Sequence, residues 1–493
     1  MKLLIKITAL CLIVVLFQAC AKKPVPKQTN GGESSKYPVS SSSEMSSDET
    51  SSTETSAETS SEESSNPPMI GATENDTMNW SAHSSGGTAS FMEADIKSGE
   101  LRGYAKKAYD DILKNFWNSD EKRFKKDYHG YVNDSLAKQD AVWSFGMAVM
   151  GMDVFYDVTN DPLIKEKLAY QWGHTKNYFT DEQFVTPGMA PNFASDDTGW
   201  DAMVYLIFYR HTGDPYALDI VKRLLANAFT HYAVNGDINN GLWYTTNTDH
   251  AERYKYTSIY CAGILHAALD YYDITGDVSY YNNTKAVYEY LEKNFLRNGK
   301  KTYPTFTVDC NDLLYFCDFN INRPSRTEPN GPDGGTRPYD IQECGSVSFL
   351  GGNMAMAALH GRFYKYTGDE KYKKRALETV NAIGSSPYYT TSDSVLANDR
   401  DAWANCTFVR YYARYALTFP GVSKRDTGLI YNTAVSIAKN ARTPAGYYGG
   451  SWSGPAEGEG SKWWVNGSKP EQIMTTANSA LMIFGAAYLE SLL

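Results

Sequence analysis

The sequence has no CxxC pair, no HExxH pattern, no glycine-rich loop ending in Lys-Ser or Lys-Thr, and no stripe of basic residues. Each absence removes a class of chemistry. The cysteines Cys261, Cys310, Cys317, Cys344 and Cys406 lack ligand spacing, so neither a zinc site nor a complete disulfide framework is expected. Cys310 and Cys317 could pair, but buried thiols fit the sequence equally well. The eight histidines are scattered, so no catalytic transition metal is expected, and nothing calls for another cofactor. "GPDGG", Gly331 to Gly335, lacks the ending of a phosphate loop and reads as a surface turn. Without a basic stripe, nucleic acid is not an expected partner. Period-two alternation is scarce too, which predicts few strands.

Long apolar runs are equally scarce. The stretch "MKLLIKITALCLIVVLFQAC" has Lys2 and Lys6 before an apolar segment from Ile7 to Phe17, too short to span a bilayer comfortably. It reads as an export signal over residues 1–19. Its "FQAC" ending resembles a bacterial lipobox, which implies Cys20 as the lipid attachment site, although Phe17 stands where such boxes usually carry Leu. A plain secretory signal is the alternative. The chain is then an exported lipoprotein, at the cell surface or facing the periplasm, and meets a membrane only through its N-terminal lipid. Residues 20–98 are rich in Ser, Thr and Glu, as in "SSSSEMSSDETSSTETSAETSSEESS". Such a segment cannot bury enough apolar area to offset its ordering entropy and reads as a disordered linker.

That linker also holds most of the charge. Eight acids between Glu33 and Ser65 face only Lys36, a net −7 out of the formal −10 of the whole chain. The remainder, residues 99–493, is nearly neutral and suits an uncharged ligand. What the chain has in abundance is aromatic residues: 37 Tyr, 20 Phe and 10 Trp. These supply a large core and flat faces for a groove.

One unit recurs. Apolar residues at helical spacing lead into "DVTNDP", "RHTGDP", "DITGDV" and "KYTGDE", each predicting an amphipathic helix that ends in a tight corner. Gly213, Gly276 and Gly368 can close a helix in the left-handed conformation, and Asp214, Asp277 and Asp369 can cap the next. Pro215 suits a first turn. Asp161, Asp214, Asp277 and Asp369 are 53, 63 and 92 residues apart. With a last helix near Met474 to Leu489, there is room for about a dozen helices. Stacked hairpins make an open solenoid or a closed toroid. The reading is all-α, a closed (α/α)6 toroid of six hairpins.

The pair Asp196–Asp197 precedes one of these helices. A single acid there is explained by capping and the helix dipole. Two adjacent acids are less easily explained, because like charges held close raise one another's pKa. Glycosidases use that conflict: one carboxylate stays ionised while its partner carries a proton.

The order "SDDTGWDAMVYLIFYRHTGDPYALDIVKRLL", "GLWYTTN", "DITGDVSYYNNTKAVYEYL", "RDAWANCTFVRYYARYAL" and "GYYGGSWSGP" resembles glycoside hydrolase family 76, over about Gln139 to Leu493. The most specific element is DDxxW, matched by Asp196, Asp197 and Trp200. The resemblance implies an (α/α)6 toroid with the aspartates in a groove at one end, Asp196 as nucleophile and Asp197 as general acid/base. It implies a retaining, endo-acting hydrolase of α-1,6-mannan. Mannan polysaccharide or oligosaccharide is then the partner, and the domain is expected to be a monomer.

Two segments depart from the family: "YKYTSIYCAG" (Tyr254 to Gly263) and "SFLGGN" (Ser348 to Asn353). Both are expected to line the groove, Tyr256 in the first among them, so substrate preference is expected to differ. Trp143, Trp200, Trp243, Trp403 and Trp452 lie near loops and are candidates for sugar contact or for core, with Trp200 and Trp452 in matched segments. The glycines of "GGSWSGP" either let backbone approach a ligand or make a tight turn. Asp401 and Arg410 either hydrogen-bond sugar hydroxyls or cap and brace a helix. Two other functions fit less well. One is a non-catalytic glycan-binding lipoprotein. The other is a different toroid enzyme, such as an unsaturated glucuronyl hydrolase or an epimerase, which would call for an Arg/Lys cluster or a histidine pair.

Overall fold

The computed structural model describes residues 99–125, 137–179, 195–244, 257–316, 318–319, 350–386, 389–390, 394–396, 424–456 and 470–492. Among these lie eleven α-helices: α1 (Glu100–Phe116), α2 (Ala137–Thr159), α3 (Pro162–Thr175), α4 (Ser195–Thr212), α5 (Pro215–His231), α6 (Ala262–Thr275), α7 (Val278–Phe295), α8 (Leu350–Thr367), α9 (Glu370–Ser385), α10 (Lys424–Asn440) and α11 (Ile473–Leu492). Strands are short: β1 (Trp117–Asn118), β2 (Arg123–Phe124), β3 (Thr257–Ser258), β4 (Leu296–Thr302), β5 (Thr307–Tyr315) and β6 (Asp318–Phe319). They pair β1 with β2, β3 with β6 and β4 with β5, all antiparallel.

The corners follow the expected logic, with one part unforeseen. At α4–α5, Gly213 has φ 71° and Asp214 accepts from Tyr216 N at 3.0 Å. Thr212 Oγ1 donates to Phe208 O at 2.6 Å and accepts from Asp214 N at 3.2 Å. The threonine thus ties the end of one helix to the cap of the next. The same bonds recur at Thr275–Asp277 and Thr367–Asp369. At Thr159–Asp161, Asn160 replaces glycine with φ 51°.

Every corner joins the end of an inner helix to an outer one. The sequence predicts amphipathic helices throughout, and the outer ones are: α1, α5 and α9 alternate buried and exposed positions. The inner helices differ. Residues 198–208 of α4, 350–363 of α8 and 475–487 of α11 are buried continuously. A helix apolar on all sides has neighbours on all sides.

Neighbouring inner helices run parallel and in register. A Cβ on Gly146, the tenth residue of α2, would lie 3.0 Å from Val204 Cγ2, the tenth residue of α4. One on Gly199 would lie 2.7 Å from Ile264 N and 2.8 Å from Gly263 C, so α4 and α6 touch backbone to backbone near their first turns. Toward the corners, Arg210 on α4 bonds Asp153 (2.7 Å) and Asp157 on α2. Arg362 on α8 bonds Asp270 (2.7 Å) and Asp273 (2.6 Å) on α6. The ring closes where α11 packs on α2 and α1, with Phe155 and Phe484 stacked at 5.2 Å. Asp111 on α1 meanwhile accepts both Arg442 Nε (2.8 Å) and Tyr448 OH (3.1 Å). With short corners at one end, the long connections all fall at the other, around the N-termini of the inner helices.

Between α7 and α8 the β4–β5 hairpin is anchored by a buried polar chain. Tyr315 OH donates to Glu292 and accepts from His360 Nε2 at 2.8 Å, which leaves His360 Nδ1 to accept from Tyr288 OH at 2.7 Å. Burial pushes the His360 imidazole down to about 3. Burial would raise the Glu292 carboxyl, but His360, Arg375 and the Tyr315 hydroxyl together hold it below its usual range.

Two predictions follow from this packing. Gly199→Ala places a methyl against the α6 backbone, which cannot yield, and should cost about 2 kcal/mol; an unchanged urea midpoint would show that α4 and α6 can separate. His360 stays neutral when folded, whereas in the unfolded chain it takes a proton below its ordinary value of 6.5. Its contribution to stability is therefore whole above that value and falls as pH drops toward 3, by about 1.4 kcal/mol per unit. Urea melts at pH 7 and pH 5 should show a smaller loss for His360→Gln than for the wild type.

Candidate functional site

The open end of the ring is found by asking where the inner helices reach solvent. On α4, Ser195 is buried, Asp197 is partly exposed, and burial is then unbroken to Phe208. Residues 257–269, leading into and along α6, are buried except Tyr260. On α11, Met474 is partly exposed and followed by buried residues. Asp197, Tyr260 and Met474 each lie at or just before a first turn, so accessible side chains occur at the N-terminal end of the ring as well as at the corners, where Arg210 and Lys365 are exposed.

A small ribbon crosses that end. Trp243 bridges Thr257, and Thr257 pairs with Phe319, all antiparallel. Tyr244 O accepts from Ser195 N at 2.7 Å, so the ribbon is fixed to the residue before Asp196. Directly opposed residues share a face of a sheet. Thr257 points at Tyr290 OH (3.2 Å) on outer helix α7, so Trp243, directly opposed to it, sits on that side too.

Asp196 and Asp197 are the second and third residues of α4. The Asp196 side chain lies outside the described residues. Among the described residues the buried Ser195 Oγ has no hydrogen-bond partner, and neither has Trp200 Nε1 one turn on. Carboxylates in a first turn face the positive end of the helix dipole.

Two of the tryptophans offered as sugar contacts are buried. Trp452 is 1% exposed, and its indole N–H donates to Ser479 Oγ at 3.0 Å, which makes it core. Trp200 is 7% exposed. The "SWSGP" glycine also serves packing, since a Cβ on Gly454 (φ 79°) would lie 2.5 Å from Asn440 O. That is the tight-turn account. Trp143 lies on α2, with its side chain outside the described residues, and Cys20, Tyr256, Cys317, Asp401, Trp403 and Arg410 fall wholly outside them. Cys310 on β5 is disulfide-bonded, whereas Cys261 is a buried thiol. Among the described residues no cluster of His, Cys, Asp and Glu has metal-ligating geometry, and no helix is long and apolar enough to cross a membrane.

The fold is the (α/α)6 toroid seen in structures of glycoside hydrolase family 76. One is an α-1,6-mannanase of Salegentibacter sp. HEL1_6 in complex with α-1,6-mannotriose, a variant called inactive in which two consecutive aspartates are replaced by asparagine. It shares 15% identity at a TM-score of 0.57, over 79% of this chain and 100% of that one. A family 76 mannosidase of Bacteroides thetaiotaomicron VPI-5482 shares 14% identity at 0.55, over 79% and 99%. Dfg5 of Chaetomium thermophilum, in complex with glucosamine, shares 16% at 0.52, over 82% and 92%. No protein-family model matches the chain, and no curated protein matches it in sequence.

Trp452→Phe removes one buried hydrogen bond and part of a ring. It should lower stability by about 1–2 kcal/mol while leaving the affinity for any glycan ligand unchanged. A thermal melt paired with a binding titration separates the two effects.

Proposed function

We propose that residues 99–493 form a retaining, endo-acting glycoside hydrolase that cleaves the backbone of α-1,6-mannan. The observation that carries this reading is the pair Asp196–Asp197 in the first turn of an inner helix, at the accessible end of a toroid shared with α-mannanases. The inactive mannanase variant lacking two consecutive aspartates supports it. Consecutive helix positions diverge by about 100°, so two neighbouring carboxyls can approach one glycosidic bond from different sides. At the 5–5.5 Å separation of retaining enzymes, roughly that of adjacent side chains, double displacement follows.

In this mechanism Asp196 attacks the anomeric carbon as the C–O bond breaks, and Asp197 gives its proton to the departing oxygen. Water then opens the glycosyl ester, Asp197 takes up the water's proton, and Asp196 is released as carboxylate. One water is consumed and the anomeric configuration is kept. The mechanism needs Asp197 protonated and Asp196 ionised at the start, and two close carboxyls do not ionise together. A lipid on Cys20 and the acidic linker through residue 98 would hold the domain at a cell surface, where a polysaccharide is met before it is imported.

Incubation with unbranched α-1,6-mannan tests the reading. The wild type should release oligosaccharides whose anomeric configuration, followed by NMR, is initially that of the substrate. Asp196→Asn and Asp197→Asn should each lower kcat by roughly 10,000-fold or more. Mannan binding without products from the wild type would make the chain a glycan-capture protein.

A further inference from the structure

Among the described residues three large apolar side chains are exposed: Leu163 at 54%, Ile274 at 45% and Val278 at 47%. Single exposed aliphatics are ordinary on a protein surface. These three, however, all lie at the corners. Leu163 is the second residue of α3, Val278 the first of α7 and Ile274 the last but one of α6. Side chains of a first turn lean toward the start of their helix, so Leu163 and Val278 project outward past the corner. Between these two corners stands that of α4, the inner helix that touches both α2 and α6, and there Pro215 is exposed.

The chain enters the folded part on the same side. Gly99 N–H donates to Glu490 Oε1 at 3.1 Å, and Glu490 lies in the last turn of α11. Phe484 stacks on Phe155 near the end of α2, so α11 ends where the corners are. The linker therefore joins α1 at the corner end, and the first turn of α4, with Asp196 and Asp197, lies at the opposite one. The corners also carry the capping acids Asp161, Asp214, Asp277 and Asp369. Such a rim suits the ammonium groups of zwitterionic headgroups better than an anionic lipid surface.

We propose that the corner end is a membrane-docking face, on which Leu163, Ile274 and Val278 dip into the zwitterionic lipid surface that holds the Cys20 lipid. A lipid anchor gains from a second contact, and a weak one suffices because the tether keeps the surface close. Docking turns the end with Asp196 and Asp197 away from the bilayer, toward polymer arriving from outside. The inference rests on Cys20 as the lipid attachment site and not on the mannanase activity.

The test uses the exported, lipidated chain in phosphatidylcholine vesicles whose acyl chains carry bromine, a short-range quencher of indole fluorescence. One variant carries Ile274→Trp at a corner; the control carries Asn240→Trp, an exposed position beyond the end of α5. The added indole of Ile274→Trp should lose fluorescence relative to unbrominated vesicles, and further substitution by Leu163→Gln and Val278→Gln should restore it. That of Asn240→Trp should be unaffected. Equal quenching at both positions, quenching at neither, or quenching that the glutamines leave unchanged overturns the docking face. So does an exported chain whose mass shows no lipid. Self-association of unlipidated Cys20→Ser protein, abolished by the two glutamines, reassigns the face to a second copy of the chain. Hydrolysis of α-1,6-mannan by the same vesicles reports separately on the mannanase reading.

Discussion

The constraint on which the rest depends is the close parallel packing of the inner helices. Where Gly199 meets the backbone of Gly263 and Ile264, two helices approach so nearly that neither can carry a side chain between them. That contact fixes register, and register fixes which residues share a level. Continuous burial along α4, α6, α8 and α11 then leaves only the helix ends to meet solvent. The corners occupy one end tightly. The N-termini of the described inner helices lie at the other end, where their dipoles present their positive poles.

Much of this was legible in the sequence, for identifiable reasons. The corners could be read because Gly213, Asp214 and Pro215 each have a conformational reason to be where they are. Thr212 escaped notice because a threonine near a helix end has no such unique signature; its double hydrogen bond appears only in three dimensions. The inner helices were mistaken for amphipathic ones, since a residue half polar in sequence, such as Tyr205 or Arg362, can be wholly buried once its hydroxyl or guanidinium finds partners.

The site divides along the same line. Asp196 and Asp197 stood out because two adjacent acids before an apolar run demand an explanation. The tryptophans were harder, because an indole looks alike in sequence whether it faces a sugar or a serine. Trp452 proved to face Ser479. Tyr244 and Tyr260, partly exposed beside the first turns of α4 and α6, are ordinary tyrosines in a chain with 37 of them. Composition hides what burial reveals.

The closure of the ring has a consequence for how the molecule is made. Arg442 grips Asp111 across 331 residues of sequence, and Glu490 receives the N–H of Gly99 across 391. The first contact cannot form until α10 has been made, nor the second until the final helix exists. A chain emerging from the ribosome must therefore carry α1 and α2 with their inward faces uncovered for nearly the whole of its synthesis. The first hairpin waits for the last, and until α11 arrives the nascent protein is an open spiral with sticky ends, in need of shielding from its neighbours.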